Sequence, residues 1–282
     1  MTLTNALPRD VVAPRRAVSS RTSSTTIKNS WTLRSQSPIP PSSLPPKPLS
    51  FPEEIPDTPP AAMSSTKPII LYSHATGPNP WKVAIILEEL QIPYETKFLE
   101  FPAMKQEPYE SVNPNGRVPA IEDPNTGIKL FESGAIIEYL VDTYDKTNAL
   151  HSDTAPEKYL EKSWLHFQMS GQGPYYGQKA WFTYFHPEKG ITSAIDRYAN
   201  EIKRVVGVID RHLQKTGKPY LVGDKISYAD LAFVPWHMAL GFLVPDFDFA
   251  KEFPTFSKWN QSLMDRPTVK KIAADKAAAS QK

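Results

Sequence analysis

The sequence predicts an α/β domain followed by an all-helical domain, with a polar tail in front of them. Between residues 67 and 148, short β-prone segments alternate with amphipathic helical patterns. From residue 149 to residue 282 strand signals disappear and long amphipathic stretches remain, which indicates helix packed on helix. Residues 1–66 contain twelve prolines and many serines and threonines, with almost no apolar periodicity. A chain of 282 residues is long enough for two compact domains.

The tail, residues 1–66, differs from the remainder in composition and charge. A segment with so little apolar surface cannot offset the entropy lost on ordering, so we expect disorder. The tail carries 7 basic and 4 acidic side chains, whereas the rest of the chain carries 25 and 26. The basic character of the protein therefore belongs to the tail, and the folded part gives no reason to expect nucleic-acid binding.

Two explanations of the tail stay open. Its first fifty residues are rich in Arg and Ser and contain Asp10 as the only acid, which is typical of an organellar transit peptide. Met63, just before the first predicted strand, looks like a start codon, so residues 1–62 can equally derive from a wrongly assigned upstream exon. We expect a cytoplasmic protein, or a mitochondrial one if the tail is a genuine transit peptide.

Composition excludes several classes of protein. No run approaches the ~18 apolar residues of a membrane span, so we expect no membrane insertion. The chain has no cysteine, which rules out disulfides, thiolate metal sites and redox chemistry by a protein thiol. Its 6 histidines show no metal-ligand spacing, and we assign no metal. Any thiol that takes part in function must therefore arrive on a ligand.

The first domain begins with a strand, a helix and a second strand. Residues 68–73 are β-prone, residues 81–90 place apolar side chains at helical spacing, and residues 94–101 alternate apolar and polar side chains. Asn79-Pro80 is a good helix start, with Asn79 as the N-cap and Pro80 as the first helical residue. A β-α-β order implies a parallel pair of strands with a right-handed crossover.

Two further strands and a helix complete the first domain. Residues 118–122 and 128–131 are β-prone, and the Asp-Pro-Asn-Thr-Gly sequence between them has hairpin turn chemistry. A helix is predicted from Ser133 to about Tyr144. The resulting order, β-α-β followed by β-β-α, is the thioredoxin-like arrangement.

The second domain is predicted to consist of helices. Ser227 and Asp230 form a capping-box pattern, with Ile226 available as a hydrophobic staple, so we assign this motif to folding. A bend is expected near Gly171 to Pro174. The predicted helical stretches are 156–185, 187–215, 228–241 and 253–266.

Two motifs in the first domain favour binding of a small peptide. The Val118-Pro119 bond can adopt the cis form at a cost of about 1 kcal/mol, which would turn the backbone N–H and C=O of Val118 toward a ligand. Glu132 and Ser133 lie at the start of the predicted helix, where free N–H groups attract a carboxylate and Glu132 can hold an amine. This arrangement suits a zwitterionic amino-acid head group.

These motifs resemble the glutathione S-transferase superfamily, and within it the fungal branch that includes the yeast nitrogen-regulation prion protein and its enzymatic relatives. The resemblance spans roughly Lys67 to Thr268. The strings that carry it are Ser73-His74, Pro78-Asn79, Lys82-Val83-Ala84-Ile85, Ser111-Val112-Asn113-Pro114-Asn115, Arg117-Val118-Pro119-Ala120, Glu132-Ser133-Gly134-Ala135-Ile136, Arg197-Tyr198 and the segment from Leu221 to Trp236.

The resemblance implies glutathione as co-substrate, an apolar small-molecule electrophile as second substrate, and a homodimer. Asn79 would be the catalytic residue, because the corresponding Asn of the branch reaches the glutathione sulfur. The implied glutathione-binding residues are Asn79, Lys105, Arg117, Val118, Glu132 and Ser133. The implied residues of the second-substrate pocket are Tyr175, Tyr176 and Trp181.

One departure from the superfamily bears on activity. Most of its transferases place a Tyr, Ser or Cys near the first helix to activate the thiol, whereas this chain has Gly77 there, with Thr76 and Ser73 as the nearby hydroxyls. Activation would then depend on Asn79, on backbone N–H groups and on the dipole of the first helix.

The expected function is conjugation of glutathione to an apolar electrophile from xenobiotic or secondary metabolism, with glutathione-dependent peroxide reduction possible at the same site. The alternative is a catalytically weak glutathione-binding regulator of a partner protein. The tail is not prion-like, because its amides are limited to Asn5, Asn29 and Gln36. A glutaredoxin-like exchanger is disfavoured by the absence of cysteine.

Overall fold

The computed structural model describes residues 66–281. The disorder expected for residues 1–66 therefore falls, except for its last residue, outside the described part of the chain. The first domain is the predicted α/β unit, and its thioredoxin-like fold is confirmed. Its elements are β1 (Ile69–Ser73), α1 (Pro78–Glu89), β2 (Tyr94–Phe98), β3 (Ala120–Asp123), β4 (Ile128–Phe131) and α2 (Ser133–Tyr144).

The four strands form one mixed sheet in the order β2-β1-β3-β4. Strands β1 and β2 are parallel, as the β-α-β pattern predicts, and Leu71 lies opposite Thr96. Strand β3 runs antiparallel to β1 and to β4. The short loop that joins β3 to β4 bends at Asp123, whose carboxylate accepts hydrogen bonds from the hydroxyls of Tyr139 and Tyr144. The hairpin is thereby fixed to α2.

Helix α1 is buried along most of its length because sheet and helical domain cover it from different sides. Residues 80–87 are all buried, Lys82 among them. The prediction that Asn79 caps this helix is wrong. The cap position is Gly77, Pro78 and Pro80 stand in the first turn, and no side chain caps the helix. The prolines fit there because N–H groups of the first turn have no intrahelical acceptor.

The second domain is helical, as predicted. Wide turns at Gln168–Gln172 and Trp181–Phe185 break the first predicted stretch, the former at the expected bend. The stretch predicted over 228–241 is three short helices rather than one. The helices are α3 (Glu157–Phe167), α4 (Gly173–Ala180), α5 (Thr192–Thr216), α6 (Tyr228–Leu231), α7 (Val234–His237), α8 (Leu240–Leu243), α9 (Phe249–Glu252), α10 (Pro254–Met264) and α11 (Pro267–Ala279).

Helix α11 is absent from the sequence-based prediction, which ended the last helix at Arg266. Pro267 stops α10 but also suits the first position of a new helix, and the following alanines and lysines give little apolar periodicity. Helix α11 packs against α1. At this contact the Arg266 guanidinium donates two hydrogen bonds to the Glu89 carboxylate, at 2.7 and 2.5 Å. A bidentate pair of this kind fixes the orientation of the two chain segments.

No helix within residues 66–281 has the length and apolar character needed to cross a lipid bilayer.

The predicted capping box is present at the start of α6 and lies in the core of the helical domain. Asp230 is fully buried. Its carboxylate accepts hydrogen bonds from the backbone N–H groups of Leu221 and Ser227 at 2.9 and 3.0 Å, and from the Trp259 indole at 2.9 Å. One side chain thus joins the loop before α6, the cap of α6 and helix α10.

Replacing Asp230 by Ala should destabilise the protein by about 3 kcal/mol or more, because several buried donors would lose their acceptor. Urea denaturation measures this. Asp224→Ala is the matched control, since the Asp224 side chain is 72% exposed and pairs with Lys218 at the surface. The control should change the free energy of unfolding by less than ~0.5 kcal/mol. Equal effects of the two variants would contradict a structural role for Asp230.

Candidate functional site

A narrow polar cavity of about 110 Å³ lies at the start of α1, before β3 and at the start of α2. It brings together five of the six residues that the sequence analysis assigns to glutathione, while Lys105 lines a larger cavity beside it. Their roles as ligand contacts stay predictions. The residues that line the narrow cavity are Asn79, Asn113, Asn115, Arg117, Val118, Pro119, Glu132 and Ser133.

The backbone of Val118 is held ready for hydrogen bonding. The Val118–Pro119 peptide is cis, and within the described residues neither the N–H nor the C=O of Val118 makes a backbone hydrogen bond. The preceding carbonyl, that of Arg117, accepts from the Tyr109 hydroxyl at 2.5 Å and from Asn113 Nδ2 at 2.6 Å. These two buried side chains fix the segment, so Val118 offers one donor and one acceptor at the cavity wall.

Gly116 allows the loop before β3 to close on the loop after β2. Its φ of +57° lies in the left-handed region, and a Cβ there would lie 2.6 Å from the Met104 carbonyl oxygen. No side chain fits this position without a shift of the backbone. Lys105 Nζ donates to the Asn115 carbonyl at 2.8 Å across the same contact. The close approach brings Lys105 and Arg117 to one side of the cleft.

Glu132 stands at the opposite end of the narrow cavity in an unusual backbone conformation. Its φ is +70°, which costs a non-glycine residue on the order of 1–3 kcal/mol. Glu132 is exposed. It is the N-cap residue of α2, and its carbonyl accepts a hydrogen bond from the Ile136 N–H. Ser133 begins α2, whose first N–H groups have no acceptor within the helix. A carboxylate acceptor and free N–H donors therefore stand next to each other.

A buried lysine lies beneath this end of the cavity. The Lys82 side chain is 1% exposed, and its ammonium donates to Gln168 Oε1 at 2.8 Å, to Ser133 Oγ at 3.3 Å and to Met169 Sδ at 3.7 Å. Burial lowers the pKa of Lys82 to about 7, and the negative charge of Glu132 opposes this shift. Lys82 thus joins α1, the start of α2 and the first wide turn of the helical domain.

Asn79, in the first turn of α1, also lines the narrow cavity. Its Oδ1 accepts a hydrogen bond of 3.0 Å from the Trp236 indole Nε1 of the helical domain. Asn79 and Trp81 supply the backbone N–H groups of the first turn of α1, since Pro78 and Pro80 have none. The partial positive charge of a helix N-terminus therefore stands behind Asn79.

A larger cavity of about 640 Å³ adjoins the narrow one and shares Arg117 and Val118 with it. His74 and Phe101 stack at 4.4 Å on its wall. Its remaining lining residues are Thr76, Gly77, Pro102, Met104, Lys105 and Gly116. The polar cleft thus opens onto a wider space with aromatic and aliphatic surface.

Comparison with known families identifies both domains. Residues 67–142 match the glutathione S-transferase N-terminal domain, and residues 174–267 match the glutathione S-transferase C-terminal domain. The chain belongs to the glutathione S-transferase family. Glutathione S-transferase-like protein OpS6 of Beauveria bassiana is 57% identical over 216 residues, which are 77% of this chain and 99% of that protein. Glutathione S-transferase 2 of Schizosaccharomyces pombe is 45% identical over 224 residues, 74% of this chain and 96% of that protein.

Solved structures of the family show the same architecture and support the resemblance to the fungal Ure2 branch. The transferase URE2P6 of Phanerochaete chrysosporium, in complex with oxidized glutathione, matches with a TM-score of 0.72 and 47% identity, covering 77% of this chain and 100% of that one. Ure2p5 of the same organism, cocrystallized with 1-(S-glutathionyl)-2,4-dinitrobenzene, matches with a TM-score of 0.71 and 37% identity, covering 78% and 99%.

Three aromatic residues that the sequence analysis assigns to a second-substrate pocket do not line either cavity. Tyr176 is fully buried between Trp236 and His237, so no surface of its ring is open to a ligand in this structure. Tyr175 packs against Tyr198, and Trp181 is exposed on the second wide turn. Their assignment came from the family resemblance, and it stays a prediction.

The sequence analysis missed two groups that shape the candidate site. Lys82 is the first, and it could have been found from sequence, because it is the one lysine in residues 80–87, whose other seven side chains are all apolar. Trp236 is the second, and no local pattern connects it with Asn79. Within residues 66–281 no cluster of three or more His, Cys, Asp or Glu side chains is placed to hold a metal ion.

Lys82 should make the stability of the protein depend on pH. Between pH 7 and about 10, the unfolded chain keeps a proton on Lys82 that the folded chain has released, so the free energy of unfolding rises with pH. Lys82→Met removes this contribution, which amounts to at most about 1.4 kcal/mol per pH unit. Denaturant titrations at several pH values across that interval compare the two slopes.

Lys146→Met is the matched control, because Lys146 is exposed. Its pH dependence should parallel that of the wild type. Parallel curves for wild type and Lys82→Met would show that Lys82 does not titrate in this interval.

Proposed function

We propose that this protein is a glutathione transferase that joins the sulfur of glutathione to an apolar electrophile. The single observation that carries the proposal is the narrow cavity itself. It presents the free backbone of Val118, the carboxylate of Glu132, the start of α2 at Ser133 and the amide of Asn79 around one space. These groups complement a zwitterionic tripeptide that carries a thiol.

Glutathione would lie across the cleft with its γ-glutamyl end at α2. Glu132 would pair with the ammonium of the ligand, and Ser133 with the neighbouring N–H groups would bind the α-carboxylate. The Val118 N–H and C=O would pair with the cysteinyl backbone. Arg117 and Lys105 would stand near the glycyl carboxylate, where cationic side chains are suited to a negative charge.

The chemistry requires a thiolate. A thiol with a pKa of about 8.5 is only a few per cent ionised at neutral pH. The Asn79 amide, the free N–H groups of the first turn of α1 and the helix dipole would favour the anion, and the thiol proton would leave to water. The sulfur lone pair then forms the C–S bond, while the leaving group departs with the electron pair of the broken bond.

The larger cavity supports an apolar electrophile as second substrate. It opens from the cleft beside Gly77 and Thr76, next to Asn79 along the chain, and the Phe101 ring gives it apolar surface. A related transferase binds a glutathionyl dinitrobenzene, the conjugate of an aromatic electrophile. We also propose that the protein acts as a homodimer, for which Tyr159 and Leu160 supply exposed apolar surface on α3.

The competing function is a regulator that binds glutathione but turns over slowly. It predicts the same ligand site with little activity, so affinity and turnover must be measured separately.

Replacing Glu132 and Ser133 together by Ala should weaken glutathione binding by at least about 100-fold, because each charge-assisted contact contributes about 1.5–3 kcal/mol. Calorimetry measures the affinity. The matched control is Glu110→Ala with Ser111→Ala, an exposed Glu-Ser pair outside both cavities. Unchanged affinity in the first double variant would show that the ligand site is elsewhere.

Gly77→Ser should raise the conjugation rate near neutral pH. Gly77 has φ −64° and ψ 127°, and a Cβ there would make ordinary contacts of 3.9 Å, so Ser fits without strain. A hydroxyl that lowers the thiol pKa by one unit gives about tenfold more thiolate. Turnover of an aromatic electrophile and glutathione affinity are measured for wild type, Gly77→Ser and the control Gly77→Ala.

Thr76→Ala belongs to the same series. Thr76 is exposed, and its hydroxyl lies 3.2 Å from His74 Nδ1. Thr76→Ala should keep both turnover and affinity. Loss of turnover with affinity retained would make Thr76 the activating hydroxyl and would overturn the role proposed for Asn79.

A further inference from the structure

One hydrogen bond connects the proposed thiol end of the cleft to the helical domain. The Trp236 indole Nε1 lies 3.0 Å from Asn79 Oδ1, although 157 positions separate the two residues in sequence. Trp236 is 8% exposed, and its ring packs edge-on against the buried ring of Tyr176. A Cβ on Gly173 or Gly177 of α4 would lie 3.6 Å from the indole, so the α4 backbone covers it closely. The indole therefore has a fixed position.

This hydrogen bond determines which way the Asn79 amide faces. An indole N–H is a donor and has no acceptor lone pair, so the atom of Asn79 within hydrogen-bond distance must be the oxygen. The amide plane is thereby set, and its Nδ2 group carries two hydrogens with no acceptor among residues 66–281. Asn79 lines the narrow cavity together with Val118 and Ser133. The free hydrogens are donors at the place where a ligand sulfur would lie.

The opposite orientation of the amide would not serve a thiolate. It would direct Oδ1, an acceptor, toward the sulfur and would set two donors against each other at Trp236. Within residues 66–281 the Trp236 indole is the one hydrogen-bond partner of the Asn79 amide, so no other hydrogen bond selects its orientation. Trp236 therefore selects the orientation of the Asn79 amide. The first turn of α1 does not select it.

We infer that Trp236 is a positioning residue for thiol activation: its indole holds Asn79 Oδ1, so that the Asn79 amide hydrogens are presented to the sulfur of bound glutathione. The inference rests on the proposed function, because it concerns the thiol of that ligand. It assigns Trp236 a role that acts through Asn79, without contact between Trp236 and glutathione.

The experiment measures the thiol pKa of bound glutathione from the ultraviolet absorbance of the thiolate, in wild type and in Trp236→Phe. Trp236→Phe keeps an aromatic ring but removes the donor. We expect the thiol pKa to rise by about 0.5 to 1 unit, which leaves roughly three- to tenfold less thiolate below that pKa. The pH profile of kcat should shift upward by the same amount. Affinity for S-methylglutathione, which has no thiol, should stay within about twofold.

A double-mutant cycle separates positioning from general structural damage. In an Asn79→Ala background, Trp236→Phe should have no further effect on the thiol pKa, because the residue through which Trp236 acts is gone. Trp164→Phe is the control for losing an indole from the helical domain, since the Trp164 ring packs against Phe167 and His212. This control should leave the thiol pKa unchanged.

Several results overturn the inference. An unchanged thiol pKa in Trp236→Phe overturns it. So does a loss of activity on Trp236→Phe that is equally large in the wild-type and Asn79→Ala backgrounds. If Trp236→Phe does not fold, the test is hydrogen exchange of the Trp236 indole N–H, measured by NMR. This hydrogen should exchange with solvent faster in Asn79→Ala than in wild type, because its acceptor is gone. Equal exchange rates in the two proteins overturn the inference. Failure of the proposed function is a different result, because wild type itself would then not bind S-methylglutathione.

Discussion

The buried amino group of Lys82 is the constraint on which the rest of the site depends. A buried polar group costs free energy unless it is hydrogen-bonded, and the cost is larger while Lys82 carries its proton, so its acceptors must be in place in the folded protein. Those acceptors come from Ser133 at the start of α2 and from Gln168 and Met169 of the helical domain. Lys82 therefore fixes the start of α2, which lines the cleft at Ser133, relative to α1. Gly134 permits this contact, because a Cβ there would lie 3.1 Å from the Met169 side chain.

Both ends of the cleft are therefore held from the helical domain, although every residue that lines the narrow cavity belongs to the α/β domain. At one end the contact runs from Lys82 to Gln168, on to Gln172 and then to the carbonyl of Phe233. At the other end it is the indole of Trp236, three positions further along the same segment. A change in the packing of residues 233–236 can thus reach both Ser133 and Asn79, two of the residues that line the cleft.

The predictable part of this molecule is the part encoded locally. Three local features can be recognised from residue type alone: the Val118-Pro119 bond, the Asn-Pro-Asn-Gly turn before it and the Glu132-Ser133 junction. The alternation of strand and helix predicts the fold class. Helix α11 lacks such a signal, since alanines and lysines carry little periodicity. The partners of Lys82 and Asn79 could not be predicted, because they depend on how two domains pack. The prediction that Asn79 caps α1 failed for a local reason, since the helix already begins at Pro78 and the cap position is therefore Gly77.

At position 132, backbone stability conflicts with the ligand contact proposed for the Glu132 carboxylate. Its φ of +70° with ψ of 114° is a conformation that Gly adopts freely, so Gly would relieve backbone strain there. Gly would supply no carboxylate at the mouth of the cleft. Directed evolution that selects for heat resistance alone would therefore tend to discard this side chain, whereas selection on ligand would retain it. At position 132, the residue most frequent among variants selected for stability would therefore differ from the residue most frequent among variants selected for ligand binding.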